Sequence, residues 1–265
     1  MNRSNTAAAN ATSSGTDDRK SVLHLGFNRG DVILVTGAGS GIGRATALRA
    51  AELGLAVAAW DLNGDTVAAT AAQINADGGT ALALACDVGD AGQVDAAFVR
   101  SRELGTIRHL ANVAGPPSAV AMEFEAALVL CVGSMRRMVD VWLSGGAPEG
   151  ASLVNIASVA GNLVGTNSDW YCAAKAGIAG YTRHLAAYRS DEVRSNTVAP
   201  GMTDTPRLTG FAASEVGQRT LQRIPLGRMG SPDDIAWAVL FLLSPLAGYI
   251  NGAFLPVDGG WTVTQ

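Results

Sequence analysis

Cysteine is scarce in this chain, and the three present, Cys86, Cys131 and Cys172, form no recognisable knuckle. The odd count excludes a complete disulfide framework, and the spacing matches no zinc pattern, so no metal site is expected. The thiols read as reduced and buried. Positive charge is also short: 19 Lys and Arg face 23 Asp and Glu, for a net charge of -4. Nucleic acid or an anionic membrane would want a basic face, so neither is expected as the main partner. Long apolar runs are missing. The longest, Ile235 to Leu243, is far too short to span a bilayer. No basic-then-apolar segment opens the sequence, and a cytoplasmic location is the expectation.

What remains is ordinary globular material. With 48% hydrophobic and 16% charged residues over 265 positions, one large α/β domain can bury a core. Residues 1–22 are rich in Ser, Thr, Asn and Ala, cannot offset their own ordering entropy, and are expected to be a disordered tail. Residues 23–265 are expected to form a single domain. From Asp31 onward, short apolar runs alternate with helix-like stretches. Strands are expected at Val32–Val35, Leu55–Trp60, Thr80–Ala85, Ile107–Asn112, Ser152–Ala157, Val193–Val198 and Ala253–Pro256. Helices are expected at Ile42–Leu53, Asp65–Ala76, Ala91–Glu103, Met122–Leu143, Trp170–Tyr188 and Pro232–Leu243. Continuously apolar strands separated by helices imply a parallel sheet covered on both faces, a doubly wound α/β (Rossmann) fold.

The turn between the first strand and first helix reads Thr36-Gly37-Ala38-Gly39-Ser40-Gly41-Ile42-Gly43. A dinucleotide pyrophosphate needs backbone N–H groups at a helix N-terminus with no side chains in the way, and glycines supply both. Alone the pattern is weak. Placed after a strand and followed by Asp61, eighteen residues beyond Gly43 at the end of the second strand, it is far more specific. A carboxylate there accepts bonds from the adenosine ribose hydroxyls and repels a 2′-phosphate, so NAD is expected over NADP. The competing reading is a turn or cap acid, since Asn63 and Asp65 lie close by.

Tyr171 and Lys175 stand at i and i+4, on one face of a helix. A free phenol titrates near ~10 and is a poor acid or base at neutral pH. A neighbouring cation favours the phenolate and is expected to lower that value. By itself such a pair is commonly an exposed helix contact.

The order of motifs changes the weighting. The glycine loop is followed by Asn112-Val113-Ala114-Gly115 after the fourth strand, Ser158 after the fifth, Tyr171 and Lys175, and Pro200-Gly201 after the sixth. This order resembles the short-chain dehydrogenase/reductase family, classical type, over roughly residues 30–260. The resemblance implies a seven-stranded sheet and a catalytic set of Ser158, Tyr171 and Lys175. Tyr171 would be the general acid/base. Ser158 would hydrogen-bond the carbonyl or alcohol oxygen, and Lys175 would hold the nicotinamide ribose. It also implies a cofactor site built from Gly37, Ser40, Gly41, Ile42 and Gly43, from Asp61 and Leu62, and from Asp87 and Val88 beside adenine. Asn112, Ala114 and Gly115 would join it, with Pro200, Gly201, Thr203 and Thr205 near the carboxamide.

One position departs from the family. Many members carry an asparagine in the helix after the fourth strand that supports a water in a proton relay, and here Leu130 aligns with it. Either a backbone carbonyl and water serve instead, or proton exchange is impaired. The activity implied is interconversion of a secondary alcohol and a ketone. A 3-oxoacyl carrier-protein reductase is the first alternative, disfavoured by Asp61 and by Glu149 and Asp191-Glu192 where a carrier would dock on arginines. A non-catalytic NAD-binding subunit is the second. An enoyl reductase would show a longer tyrosine-to-lysine spacing. Residues 202–228 are expected to form a substrate lid. Met202, Leu208 and Phe211, with Leu163, Val164 and Trp170, suggest a small apolar or neutral substrate. Ile235–Leu243 is apolar at every position and must be covered all round, which with the family resemblance implies a homotetramer, or failing that a dimer.

Overall fold

The computed structural model describes residues 25–264. The expected disordered tail, 1–22, lies outside the described residues. Seven strands form the sheet: β1 (Val32–Thr36), β2 (Ala56–Asp61), β3 (Thr80–Ala85), β4 (Ile107–Asn112), β5 (Ser152–Ile156), β6 (Arg194–Pro200) and β7 (Phe254–Val257). Their order is β3-β2-β1-β4-β5-β6-β7 and every neighbouring pair is parallel. All five residues of β1 and of β5 are buried, because helices cover both faces of the sheet. The fold class expected from the sequence is the one observed.

The helices are α1 (Gly41–Glu52), α2 (Gly64–Ala76), α3 (Ala91–Ser101), α4 (Phe124–Leu128), α5 (Ser134–Leu143), α6 (Asp169–Tyr188), α7 (Glu215–Leu221) and α8 (Pro232–Leu243). Side chains alternate across each strand and so feed two cores. Ile33, Val35 and Val57 pack with α1, α2 and α8 on one face. Leu34, Trp60 and Leu110 pack with α3, α5 and α6 on the other. Helix starts follow local chemistry: Asn63 caps α2, Asp90 caps α3, and Ser231 with Asp234 forms a reciprocal capping box on α8.

Three details differ from the sequence reading. The single helix expected over 122–143 is α4 and α5 joined by a π-helical turn at Val129–Gly133. Such a turn inserts one residue into the hydrogen-bond ladder without breaking the apolar stripe, so periodicity does not register it. Helix α7 falls inside the expected lid; it is short and buries only Gly217, leaving little pattern to read. Helix α8 finds more cover within the chain than its composition suggested, since it packs on α1 as well as on the sheet. Phe241, 37% exposed, is on its outward side.

Chain order in the sheet reverses between β1 and β4, with β2 and β3 on one side and β5 to β7 on the other. Strand ends diverge at that point and leave a crevice at their C-terminal edge. The opposite edge holds an acid-labile group. His109 of β4 is 3% exposed, with its Nδ1 2.8 Å from Ser152 Oγ. That hydroxyl in turn donates to the Leu243 carbonyl at 2.7 Å, so the imidazole is the donor to Ser152. Burial pushes His109 down to about 4, partly offset by Asp31. The unfolded chain takes up this proton near pH ~6.5, the folded chain only near 4, so folding disfavours it. Stability therefore falls as pH drops from 6.5 towards 4, with a contribution on the order of 3 kcal/mol. His109→Gln should flatten that part of the curve. Urea midpoints measured between pH 7 and 4.5 check it: parallel curves for wild type and variant would contradict the assignment.

Candidate active site

The β1–α1 turn closes tightly. Gly37 and Gly41 take positive φ, +70° and +51°. A Cβ on Gly43 would run into the Gly37 carbonyl oxygen, and one on Gly39 would lie 2.9 Å from the Asp61 carboxylate. Helix α1 then begins without the side-chain cap that α2, α3 and α8 possess: Ser40 makes no capping bond, and no acid occupies the first turn. The positive end of α1 is thus left to an external anion. Asp61 sits directly over the turn. Its Oδ2 accepts from Gly39 N–H and its Oδ1 from Asn63 N–H, both at 2.9 Å.

Across the crevice, Thr36 Oγ1 accepts from the amides of Val113 and Ala114 at 3.0 and 3.1 Å and fixes the loop after β4. Asn112 faces the interior instead. Its Nδ2 donates to Asn155 Oδ1 at 2.9 Å and ties β4 to β5. Leu62 is exposed at the end of β2, and Asp87 accepts from Gly89 N–H in the turn after β3.

Ser158, two residues past β5, accepts from Ala160 N–H at 3.1 Å and lines the same cleft as Tyr171. Tyr171 and Lys175 lie one turn apart on α6. Lys175 is buried, and its Nζ donates to the Ile156 carbonyl at 3.0 Å and stands 5.6 Å from the centroid of the Tyr171 ring. Asn162 locks this end together: its Nδ2 donates to the carbonyls of Ser158 and Lys175 at 3.1 and 3.2 Å. Nothing in the sequence distinguished Asn162 or Thr36, since both act through backbone atoms of distant segments.

Burial pushes the Tyr171 phenol above its ordinary value, and the neighbouring Ser158 hydroxyl and the charge of Arg207 only partly offset it. The lowering expected from the Tyr-Lys spacing does not occur. The ammonium turns under the ring to a backbone carbonyl and does not meet the phenol oxygen. Burial also pulls Lys175 down to about 8.

These groups share one cleft of about 240 Å³. Gly37, Gly41 and Gly43 of the loop, Ser40, Ile42, Gly115, Ser158, Tyr171, Lys175, Pro200, Gly201, Thr203 and Thr205 all line it. Asp61, Leu62, Asp87, Val88, Asn112 and Ala114 lie outside its lining. Of the apolar candidates, Met202 and Leu208 line it, whereas Trp170 is buried edge-on against the Tyr171 ring and Leu163 is half exposed. Arg207 lines it too and was not singled out from the sequence, where only apolar residues of this segment drew notice.

A family model described as enoyl-(acyl carrier protein) reductase matches residues 37–262. The chain is 37% identical over 250 residues to a D-threitol dehydrogenase of Mycolicibacterium smegmatis, covering 88% of this chain and 94% of that protein. It is also 37% identical over 249 residues to a cis-4-hydroxycyclohexanecarboxylate dehydrogenase of Sinomonas cyclohexanicum, covering 87% and 96%. Among solved structures, a 7α-hydroxysteroid dehydrogenase complexed with NADH and 7-oxo glycochenodeoxycholic acid superposes with a TM-score of 0.82 at 31% identity, covering 89% and 96%. A short-chain dehydrogenase from Burkholderia cenocepacia in complex with NADP does so at 0.80 and 30% identity, covering 88% and 98%.

The chain belongs to the short-chain dehydrogenase/reductase family. It is an oxidoreductase of that family with the Rossmann architecture. Leu130, the position expected to depart from the family pattern, lies in the π-helical turn. The Leu130 side chain packs by Gly89, in the turn after β3. Its neighbour Cys131 is buried, its thiol pushed up by burial and drawn back by the charge of Lys175.

The glycine cradle is testable without an assay of turnover. Gly43→Ala places a methyl against the Gly37 carbonyl and forces the turn open. Nicotinamide-dinucleotide affinity should fall by roughly 10² or more. Quenching of protein fluorescence on titration with NADH measures it, and unchanged affinity would contradict the cradle.

Proposed function

We propose that this chain is an NAD(H)-dependent dehydrogenase/reductase that interconverts a secondary alcohol and a ketone. The single observation that carries the reading is the cleft itself. It joins an uncapped helix N-terminus in a turn too tight for side chains to Ser158, Tyr171 and a buried Lys175, which line the same wall. The residues present fit a dinucleotide: α1 for the pyrophosphate, Asp61 for the adenosine ribose, Thr203 and Thr205 for the carboxamide, Lys175 for the nicotinamide ribose.

Ser158 donates a hydrogen bond to the reacting oxygen and holds it against Tyr171. Tyr171 takes the hydroxyl proton in oxidation and returns it in reduction. Its burial keeps the phenol protonated when no cation faces its oxygen, so positive charge brought close to that oxygen, as an oxidised nicotinamide would bring it, favours the base form. Bound in this cleft, nicotinamide supplies or accepts the hydride. Lys175, near 8, changes charge readily and can pass a proton outward. The Leu130 position contributes no polar side chain to that relay, and we assign its role to backbone carbonyls of the π-helical turn and water.

The four-residue spacing of Tyr171 and Lys175 favours an alcohol/ketone enzyme over the enoyl reduction named for the matching family model. Asp61 over the glycine turn disfavours a 3-oxoacyl carrier-protein reductase of the NADP-using kind. The intact Ser158, Tyr171 and Lys175 disfavour a non-catalytic NAD-binding subunit. The segment 202–228 is proposed as the substrate lid. A cytoplasmic homotetramer, or a dimer, is the accompanying proposal; the partly open outer side of α8 at Phe241 supports it, although α1 covers more of that helix than expected.

Two measurements test the reading. Tyr171→Phe keeps the ring and removes the proton donor, so kcat should fall by about 10² or more while NADH still binds. Near-normal turnover in that variant would refute the mechanism. NAD should exceed NADP in kcat/KM by more than about tenfold, and Asp61→Ala should erode the gap by admitting the 2′-phosphate. A wild-type preference for NADP would overturn the cofactor assignment.

A further inference from the structure

The charge of the cleft is lopsided. Lys175 and Arg207 line it, and no aspartate or glutamate does. The Lys175 ammonium is committed to the Ile156 carbonyl. Arg207 is uncommitted: its side chain is exposed, and it makes no hydrogen bond or ion pair with any of the described residues. Other arginines of the same segment behave differently. Arg219 pairs with Glu215, and Arg228 pairs with Asp234.

Position matters as much as charge. Arg207 sits in the short helical turn Pro206–Leu208, just beyond Thr205, whose methyl approaches the glycine turn at Gly41. Its field acts at the reacting end of the cleft, where it bears on both Tyr171 and Lys175. The pyrophosphate end already has the uncapped amides of α1. Met202 and Leu208 line the same cleft as Arg207 and Tyr171, and they suit hydrocarbon.

We propose that Arg207 is a specificity-determining residue that pairs with a carboxylate on the substrate, so that the preferred substrate is a hydroxy acid, or its oxo acid, with an apolar frame between its two oxygen groups. A guanidinium fork matches a carboxylate bidentately, and a largely apolar wall strengthens the pair relative to water. A neutral alcohol would leave the Arg207 guanidinium with no carboxylate partner in the cleft. The proposal rests on the alcohol/ketone chemistry above and replaces the neutral substrate suggested by the sequence with an anionic one.

A matched pair of probes separates the possibilities: cyclohexanol, and cis-4-hydroxycyclohexanecarboxylate, which adds only the carboxylate. Wild type should favour the hydroxy acid in kcat/KM by about tenfold or more. Arg207→Leu should cut kcat/KM for the hydroxy acid by roughly 10², mostly through KM, should cost cyclohexanol at least about tenfold less, and should leave the NADH Kd within about threefold. Arg207→Lys should recover part of the loss. Equal damage to both alcohols, or a weakened NADH Kd in Arg207→Leu, would assign the guanidinium to the cofactor and overturn the proposal. Calorimetric titration of cyclohexanecarboxylate into the NADH-loaded protein supplies a readout independent of turnover. Binding that Arg207→Leu abolishes supports the proposal; no binding to wild type overturns it. Absence of turnover with either alcohol, alongside Arg207-dependent carboxylate binding, would sink the alcohol/ketone reading and leave the anion site standing.

Discussion

The Cα of Gly43 lies so close to the Gly37 carbonyl that no Cβ fits between them. This approach lets α1 start directly at the end of β1, and most of the site is arranged around it. With α1 drawn in, its first turn opens onto the crevice between β1 and β4, uncapped by Ser40 and free of acids. The same contraction brings Gly39 under Asp61, so a carboxylate and a helix N-terminus flank the turn 22 residues apart in sequence. A favourable anion site and a carboxylate held beside it are therefore consequences of a single steric constraint.

The reacting end depends on a second balance, between burial and charge. Lys175 is buried beside the Tyr171 ring, where burial costs the ammonium part of its proton affinity and the neighbouring Cys131 only partly offsets it. The phenol is likewise held above its ordinary range. Both groups are thus placed to respond to whatever charge enters the cleft, which is what a proton-transferring pair needs. Asn162 keeps their geometry fixed by bonding to the backbone of both the serine segment and the lysine turn. The π-helical turn at Val129–Gly133 brings α4 and α5 close to α6, where Val132 would touch any side chain added at Gly177.

Around this centre the cleft combines apolar walls with two cations and no acid. Family membership explains the Ser158, Tyr171 and Lys175 arrangement; it does not explain Arg207. Arg207, in the segment proposed as the lid, carries an exposed guanidinium with no partner among the described residues, whereas Arg219 and Arg228 nearby are matched to carboxylates. Substrate selection is where members of such a fold differ, since loops at the strand ends vary while the scaffold does not.

The sequence by itself determined the architecture and the cofactor end. Strand runs such as Val32–Thr36 are apolar on both sides, which only a doubly covered parallel sheet accommodates, and Gly37 to Gly43 with Asp61 are local signals at fixed spacing. The Tyr171–Lys175 pair was legible for the same reason, as one helical turn. Tertiary structure alone decided what those groups experience. The direction of the Tyr171 shift depends on the depth of burial and on where the Lys175 ammonium turns, neither of which spacing encodes. Thr36 and Asn162 act on backbone atoms of segments far away or across a loop, and Asn112 turned inward to Asn155 because β4 and β5 are neighbours. Arg207 acquired its meaning only when folding set it against a cleft without an acid: charge complementarity is a property of a surface, and a surface exists only once distant segments have met.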